Sequence, residues 1–323
     1  MARPAGRRDR DGASARAGGG APDAASAALR QAEAHLEGGA VRSGPLLIVN
    51  ADDFGASGAV NAAVLRAHRQ GVLTSASLMV TGEAFEEAVA LARGAPDLAV
   101  GLHLVLVQGR AAAPRERVPH LVNARGELPR NPAAFGVRLA FDPLLQREVA
   151  VEIDAQLERF AATGLPLSHV DGHLNFHLHP AVFTRLARAA AKRGARGIRL
   201  PKDALGLALR HDRRRLLPKL FLAAAFGLLS AWGRRRLPAG LRATERVYGL
   251  FQSGELTPAY VLDAIAELRA GSAELYAHPA TEAGAEPLGP NPTDLATLCD
   301  PAVAEGLRRA GVRLGGYAAL EAP

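Results

Sequence analysis

The chain has 323 residues, of which 48% are hydrophobic and 22% charged, and its formal net charge is +7. A chain of this length and composition can bury a core of its own without disulfide or metal staples. The single cysteine, Cys299, excludes an intrachain disulfide framework and a cysteine-rich zinc module. No apolar run reaches about 18 residues, and the first residues form no apolar segment. We therefore expect no transmembrane helix, no secretory signal and a cytoplasmic location.

Residues 1–44 differ in composition from the rest of the chain. They are rich in Ala, Gly and Arg and contain almost no Val, Ile, Phe or Tyr. Such a segment cannot bury enough apolar surface to offset the entropy lost on ordering. We expect a disordered, low-complexity extension over residues 1–44 and a folded domain over residues 45–323.

Short apolar runs alternate with helical segments from Pro45 onward. Seven runs predict β-strands: Leu46–Val49, Ser75–Val80, Ala99–Val105, Leu167–Val170, Gly197–Leu200, Ala273–Ala277 and Val312–Gly315. Six segments between them predict helices: Ser57–Gly71, Ala84–Arg93, Leu144–Thr163, Pro180–Arg193, Thr257–Ala270 and Pro301–Ala310. This alternation predicts an α/β fold with a parallel sheet, and seven strands in this length favour a (β/α) barrel. Neither a G-x-G-x-x-G motif after the first strand nor a P-loop is present, so a nucleotide fold has no support.

Two segments interrupt the alternation. Gln108–Asp142 is rich in Pro, Gly and Arg and predicts a long loop after the third strand. Residues 203–246 form a basic and apolar insertion, in which the thirteen-residue run Leu220–Trp232 lies between two arginine triplets. The run is too short to span a bilayer. It predicts either a buried helix with basic ends or, over residues 213–236, a peripheral contact with the anionic inner face of a membrane.

The basic residues are concentrated in one part of the chain. Between Lys192 and Arg246 there are fifteen basic and three acidic residues. Such a block attracts phosphate groups, either of a nucleic acid or of an anionic membrane. Aromatic residues make up 5% of the chain and no nucleic-acid-binding module is visible, so we expect no nucleic-acid partner. The oligomeric state has no readable signal.

Polar side chains follow or end five of the predicted strands. They are Asn50, Asp52, Asp53, His103, His169, Asp171, His173, Arg199 and His278, with His177 just beyond. In a (β/α) barrel the carboxyl ends of all strands meet at one rim, which holds the active site. The sequence therefore predicts that five strands deliver carboxylate, imidazole and guanidinium groups to one place.

One carboxylate and two imidazoles are a common three-ligand metal set that leaves a position open for water. Asp53, His103 and His173 supply this set from three strands. Two nitrogen ligands and one oxygen ligand suit Zn²⁺, Ni²⁺, Co²⁺ or Fe²⁺, and Mg²⁺ is an alternative if water fills the remaining positions. Asn50, His169, Asp171 and His177 are candidates for substrate contacts or for support of these ligands.

Three further residues have chemistry that fits hydrolysis. Asp52 is a candidate general base, Arg199 would keep Asp52 ionised through a charge-assisted hydrogen bond, and His278 would protonate a leaving group. A glycosidase would instead need two carboxylates that flank the scissile bond. Neighbouring residues of an extended strand point to opposite faces, so Asp52 and Asp53 are not expected to form that pair.

Four segments together resemble the YdjC/ChbG family of carbohydrate deacetylases: LLIVNADDFG (Leu46–Gly55), GLHLVL (Gly101–Leu106), SHVDGHLNFHLHP (Ser168–Pro180) and ELYAHPAT (Glu274–Thr281). Three more resemble its branch associated with hopanoid biosynthesis: LTSASLMV (Leu73–Val80), ERVYGLFQSGELT (Glu245–Thr257) and VRLGGY (Val312–Tyr317). Leu174 and Asn175 stand where some relatives have histidines.

The resemblance implies a seven-stranded barrel-like fold related to glycoside hydrolase and polysaccharide deacetylase barrels. It implies Asp53, His103 and His173 as metal ligands, Asp52 as base and His278 as acid. The implied reaction removes an N-acetyl group from an amino sugar, and the branch implies an N-acetylglucosaminyl hopanoid as the substrate. A deacetylase of soluble chito-oligosaccharides and a non-catalytic glycolipid-binding accessory protein remain the alternatives.

Overall fold

The computed structural model describes residues 44–283 and 291–320. The extension predicted over residues 1–44 lies outside the described residues, apart from Gly44. The domain boundary at residue 45 therefore stays a prediction. Within the described part, β1 begins at Leu46, two residues after the first described one.

The described residues form one parallel sheet. Its strands are β1 (Leu46–Phe54), β2 (Ser75–Leu78), β3 (Ala99–Leu104), β4 (His169–Gly172), β5 (Gly197–Ile198), β6 (Arg246–Tyr248), β7 (Ser272–Ala277) and β8 (Arg313–Leu314). Seven strands follow the order β5-β4-β3-β2-β1-β7-β6, and β8 pairs with the start of β1. All pairs are parallel. The predicted α/β fold with a seven-stranded barrel-like sheet is confirmed.

The sheet curls into a half-barrel whose two edge strands approach each other. Gly197 in β5 forms an isolated parallel bridge with Arg242, four residues before β6. The amide of Ile198 donates to the carbonyl of Arg242 at 2.8 Å. This contact narrows the gap between the edges, so one face of the sheet is enclosed and the other carries the helices.

Ten α-helices connect these strands in the described part of the chain. They are α1 (Gly58–Gln70), α2 (Phe85–Arg93), α3 (Pro132–Phe141), α4 (Pro143–Ala162), α5 (Pro180–Lys192), α6 (Leu205–His211), α7 (Leu216–Arg234), α8 (Pro258–Glu267), α9 (Pro292–Leu298) and α10 (Pro301–Arg309). Capping explains several of the boundaries. Ser57, Asn131, Asp142 and Thr257 each accept a hydrogen bond from a backbone amide in the first turn.

The enclosed face of the sheet is apolar at the amino ends of the strands. Leu46, Ile48, Tyr317 and Leu320 form a small buried cluster there, separate from the large core under the helices. Gly197 is required beside it, because a Cβ at this position would lie 1.8 Å from the ring of Tyr317. This plug fills one end of the half-barrel and leaves the other end for polar side chains.

The sequence analysis was wrong about one loop and missed one short strand. The predicted loop Gln108–Asp142 contains α3, whose amphipathic turns were hidden by the Pro, Gly and Arg content of the segment. The short strand β6 (Arg246–Tyr248) was missed, because three residues are too few to show an alternation.

The helix predicted over Leu220–Trp232 is longer than its apolar run. α7 has 19 residues and, by length and composition only, is long and apolar enough to cross a membrane. One such helix does not establish a membrane span, so the expectation of no transmembrane helix stays a prediction. Only 17% of its most apolar window is buried, so the alternative of a buried core helix was wrong. Most of its apolar side chains are exposed instead.

Candidate active site

The end of β1 carries two neighbouring carboxylates that both face the enclosed side of the sheet. The pairing of β1 with β2 shifts register between Ala51 and Phe54, and Asp53 has a left-handed backbone with φ of 62°. This bulge breaks the alternation of side chains. The expectation that Asp52 and Asp53 point to opposite faces was therefore wrong. Such strain in a non-glycine residue is typical of functional sites.

Asp53, His103 and His173 meet at one point. The Oδ1 atom of Asp53 lies 3.4 Å from Nε2 of His103 and 3.1 Å from Nδ1 of His173. Ligand atoms at 2.0–2.2 Å from a tetrahedral metal are separated by about 3.4 Å. The three donor atoms, two imidazole nitrogens and one carboxylate oxygen, lie within 4.8 Å of one another and could hold a metal ion.

Asp171 fixes the orientation of His103. Its Oδ1 atom lies 2.8 Å from Nδ1 of His103, which leaves Nε2 directed at Asp53. A carboxylate behind a histidine in this way is the usual support of a metal ligand, because it sets the tautomer and the ring orientation. Asp52, His103 and Asp171 also lie close enough to share a cation. Both carboxylates of that second set bind Arg199, however, whose charge would repel a cation.

The electrostatics of the three ligands are coupled. Burial would raise the pKa of Asp53, but the hydrogen bonds with His103 and His173 hold it well below its usual range. Burial would lower the pKa of His103, but the charges of Asp171 and Asp52 raise it to about 10. The buried site therefore attracts positive charge, which a proton on His103 or a bound cation would supply.

Asp52 is held by a bidentate ion pair. The Nη1 and Nη2 atoms of Arg199 each donate to one Asp52 oxygen at 2.7 Å, and the amide of Asn50 donates to Oδ1 at 2.8 Å. Asp52 and Arg199 are both buried. The predicted contact between Arg199 and Asp52 is thus present as a pair of charge-assisted hydrogen bonds.

Arg199 contacts two further carboxylates. Its Nη2 atom lies 2.8 Å from Asp171 and 2.8 Å from Glu274. Its guanidinium also lies over the ring of Tyr276, 4.3 Å from the centroid. Burial would lower the pKa of Arg199, but Asp171 and the other carboxylates raise it well above its usual range. Arg199 therefore stays charged and ties three strands together at the centre of the site.

Glu274 and Tyr317 connect Arg199 to the apolar plug. The hydroxyl of Tyr317 donates to Oε2 of Glu274 at 2.5 Å, while Oε1 accepts from Nε and Nη2 of Arg199. Burial raises the pKa of Glu274 and of the Tyr317 phenol. The pair lies between Arg199 and the apolar plug and forms the floor of the site.

Ser77 joins the remaining buried polar groups. Its hydroxyl accepts from the amide of Asn50 at 2.8 Å and donates to Asp171 at 2.7 Å. His169 lies 3.0 Å from the same hydroxyl and stacks on Tyr317. Burial lowers the pKa of His169 to about 4, so this ring is neutral. Asp171 thus contacts the candidate ligand His103 directly, whereas Asn50 contacts Asp52 and Ser77, and His169 contacts Ser77.

His278 lies on the opposite side of Asp52 from Asn50. Its Nε2 atom is 3.9 Å from Oδ2 of Asp52, and its Nδ1 atom is 3.0 Å from the hydroxyl of Ser253. Its backbone amide donates to the buried carboxylate of Asp294 at 2.9 Å. The contact with Ser253 engages Nδ1 and leaves Nε2 facing the site.

The short helical segment His173–Leu178 covers one side of the site. Leu174 and Asn175 within it both have left-handed backbones, with φ of 53° and 55°. His177 is fully buried and its Nε2 atom lies 2.9 Å from the carbonyl of Arg199. His177 thus anchors the segment to the residue that directly follows β5.

Sequence reasoning missed Ser77, Glu274, Tyr317, Ser253 and Asp294. One signal was available for Glu274, because it is a lone carboxylate inside the apolar run Ala273–Ala277 and lies two and four residues before Tyr276 and His278. The alternation of a strand places these three on one face. Ser77 and Tyr317 carry no comparable signal, since serine and tyrosine are ordinary strand residues.

The fold and site define a class: a parallel half-barrel with a candidate metal centre at the carboxyl ends of its strands. The model of the YdjC-like protein family matches residues 46–309. The chain therefore belongs to the YdjC-like family, as the four sequence segments indicated.

Individual relatives agree with this family. A chitooligosaccharide deacetylase of Escherichia fergusonii is 32% identical over 281 residues, which are 84% of this chain and 98% of the relative. A carbohydrate deacetylase of Brevibacillus brevis is 44% identical over 147 residues, 45% of this chain, and the chain spans about half (55%) of that relative's length. A crystal structure from Enterococcus faecalis, assigned provisionally to cellobiose-phosphate cleavage, superposes with a TM-score of 0.68 and 25% identity, covering 85% of this chain and 98% of the other.

Proposed function

We propose that this protein is a divalent-metal-dependent hydrolase that removes the N-acetyl group from an amino sugar. The observation that carries the proposal is the convergence of Asp53, His103 and His173 on one point, with Asp171 behind His103. The relatives named as carbohydrate and chitooligosaccharide deacetylases support the same reaction. The donor set favours Zn²⁺ over Mg²⁺, because Mg²⁺ prefers oxygen ligands.

A divalent cation bound here supplies Lewis-acid chemistry, which polarises a carbonyl and makes water a better nucleophile at neutral pH. Asp52 lies beside the candidate ligands and, oriented by its two hydrogen bonds from Arg199, accepts the proton of the attacking water. In its protonated form, with Nδ1–H donating to the hydroxyl of Ser253, His278 gives the proton on Nε2 to the departing amine and becomes a neutral imidazole. Ser253 and the backbone contact with Asp294 keep the ring of His278 in place for this transfer.

The proposed substrate carries its N-acetyl sugar on a lipid, an N-acetylglucosaminyl hopanoid. Two observations support a lipid-linked substrate: the sequence segments that resemble the hopanoid-associated branch, and the exposed apolar side chains of α7 beside the segment His173–Leu178. The basic residues over 213–236 would then hold the protein on the anionic, cytoplasmic face of a membrane. A soluble chito-oligosaccharide is the second candidate, favoured by the name of the Escherichia fergusonii relative.

The experiment measures acetate release from an N-acetylglucosaminyl hopanoid and from diacetylchitobiose, each with added metal and with chelator. Metal-dependent release from the hopanoid and little from the chitobiose is the expected result. Release from chitobiose alone would support the proposed reaction but contradict a lipid-linked substrate. Binding of the glycolipid without acetate release, with metal supplied, would indicate a non-catalytic accessory protein and overturn the proposal.

A further inference from the structure

The large apolar side chains that are exposed in the described residues are gathered on one side of the molecule. Ten of the eleven lie on α3, the start of α4, the segment His173–Leu178 and α7; they are Val137, Phe141, Leu144, Leu174, Leu216, Leu217, Leu220, Phe221, Leu222 and Leu228. We call these ten residues the apolar rim. Phe141 is 84% exposed, Leu217 is 76% exposed and Leu228 is 74% exposed. Contiguous exposed apolar surface marks an interaction site, whereas scattered residues do not.

The topology places the apolar rim beside the candidate site. Its elements follow β3, β4 and β5, at the carboxyl ends of the strands, where the candidate metal ligands also lie. α3 and α7 both pack on α5, and α7 also contacts the segment His173–Leu178. Nε2 of His179 is 3.1 Å from the carbonyl of Gly136 in α3. Leu174, 41% exposed, directly follows the candidate ligand His173. The eleventh exposed residue, Leu314, is in β8 at the opposite end of the sheet.

The basic residues beside the apolar rim favour an anionic partner. Residues 213–236 contain seven basic and no acidic residues. Arg213, Arg215 and Arg235 are exposed and have no ion pair with any residue of the described ranges. A second copy of the chain would bring a second set of these charges against the first. The segment 1–43 is itself basic, with seven basic and five acidic residues, so it is not complementary either.

The contacts of α7 show how it would meet a membrane. Nζ of Lys219 binds the carbonyl and the carboxylate of Asp212, and Trp232 packs edge-on against Phe183 of α5. The first contact ties the start of the helix to the connection from α6, and the second packs the end of the helix on α5. The helix therefore lies on the surface, with Leu217, Phe221 and Leu228 outward. An apolar helix with basic ends in this position inserts into the interface of an anionic bilayer rather than crossing it.

We infer that an anionic bilayer docks on the apolar rim through two helices, α3 and α7, with the mouth of the candidate site facing the lipid. The inference rests on the proposed function, because a lipid-linked sugar reaches the site from the bilayer. It adds α3 as a second contact, which the sequence did not indicate, and it gives the docked protein a fixed orientation.

The test is flotation of the full chain with phosphatidylcholine vesicles, with and without phosphatidylglycerol. One variant combines Val137→Gln and Phe141→Gln on α3, and another combines Leu217→Gln and Phe221→Gln on α7. Leu314→Gln is the matched control, since it removes an exposed apolar side chain far from the apolar rim. We expect binding only with phosphatidylglycerol, weakened by salt, and at least about tenfold weaker in each double variant but not in the control.

Three results would overturn the inference. Equal binding to both vesicle types would show that the docking surface does not select anionic lipid. A loss of binding in the α7 variant alone would show that α3 is not part of the docking surface. No binding by the unmodified chain, together with a dimer in light scattering that the double variants break, would identify a second copy as the partner. The vesicles contain no sugar, so failure of the proposed reaction is read separately, as absent acetate release from a protein that still docks.

Discussion

The candidate site and the apolar rim depart from the ordinary distribution of side chains in opposite directions. In the site, three aspartates, a glutamate, an arginine and several histidines are buried within the half-barrel. In the rim, ten large apolar side chains are in water. Buried charges are costly unless they are paired, and exposed apolar surface lowers solubility. The two regions lie next to each other at the carboxyl ends of the strands.

The two regions differ in how closely their side chains are bonded to one another. The site residues contact one another through short hydrogen bonds that extend from Asp53 to Tyr317, so each substitution affects its neighbours. The exposed side chains of the rim have few partners within the chain. The site is thus expected to determine catalysis and stability together, whereas the rim is expected to affect only what the protein binds.

The largest effect is expected from the candidate ligands. His173→Ala should remove one of the donors around Asp53 and lower kcat/KM for acetate release by about a thousandfold, since a metal supplies several kcal/mol of transition-state stabilisation. Metal content by mass spectrometry should fall in parallel. His211→Ala, in an exposed histidine paired with Asp263, is the control and should change neither quantity. Full activity in His173→Ala would show that this cluster is not the catalytic centre.

Asp52→Asn separates the base from the ligands. The asparagine keeps the shape and one oxygen for Arg199 but is a poor proton acceptor, so kcat should fall by about 10²- to 10⁴-fold. Metal content should stay at the level of the unmodified protein. A loss of metal in this variant would instead make Asp52 a ligand, and the assignment of the two carboxylates would be reversed.

The buried His177 predicts how stability depends on pH. Burial lowers its pKa to about 4, against an ordinary value of 6.5. Below pH 6.5 His177 binds a proton in the unfolded chain but not in the folded chain. Its contribution to the free energy of unfolding therefore falls by roughly 3 kcal/mol between pH 6.5 and pH 4 and is constant at lower pH. His177→Gln, which can still donate to the carbonyl of Arg199, should remove this part of the dependence. Urea denaturation of both metal-free proteins at pH 7 and pH 4.5 measures it, and equal pH dependence would contradict the account.

Glu274→Gln tests the floor of the site. The change removes the charge beside Arg199 but keeps the shape, and the effect passes to Asp52 through the guanidinium. We expect kcat to fall by about tenfold with KM and metal content unchanged, as for a group that orients a catalytic residue. Tyr317→Phe is the matched change below it; it leaves a buried oxygen of Glu274 without its donor and should cost about 1–3 kcal/mol of stability, with a smaller effect on kcat. A larger loss of kcat in Tyr317→Phe than in Glu274→Gln would reverse this order.

The smallest effect on folding is expected in the apolar rim. Phe221→Gln replaces a side chain that is 71% exposed, so the melting temperature should stay within the change that about 0.5 kcal/mol causes. Thermal denaturation followed by circular dichroism measures this. A clear loss of stability would mean that the rim is part of the core, and the contrast between the two regions would disappear.

The sequence predicted the architecture well because the strands are continuous apolar runs separated by long amphipathic helices. It also brought Asp53, His103, His173, Asp52 and Arg199 to one place, because parallel strands deliver their ends to one rim. The prediction failed where the local backbone geometry determines which face of the sheet a side chain points to. The bulge at Asp53 has no signature in the letters NADDFG, and the alternation of a regular strand gave the wrong face.

Long-range contacts account for the other failures. Tyr317 lies 43 residues from Glu274 in the chain, and the bond between them depends on β8 returning to β1. The exposure of α7 could not be predicted from the sequence either, since an apolar run of this length occurs both in cores and on surfaces. Only the packing on α5, which uses Trp232 and Gly233, shows which side of the helix faces water.

One titration tests the central claim that Asp53, His103 and His173 form a catalytic metal centre. Chelator-treated protein is titrated with Zn²⁺ while bound metal and acetate release from an N-acetylated amino sugar are measured together, in the unmodified chain and in Asp53→Asn. The account predicts that activity rises with the first equivalent of bound metal and that Asp53→Asn neither retains the ion nor releases acetate. Acetate release by the metal-free protein, or by Asp53→Asn at the unmodified rate, would contradict it.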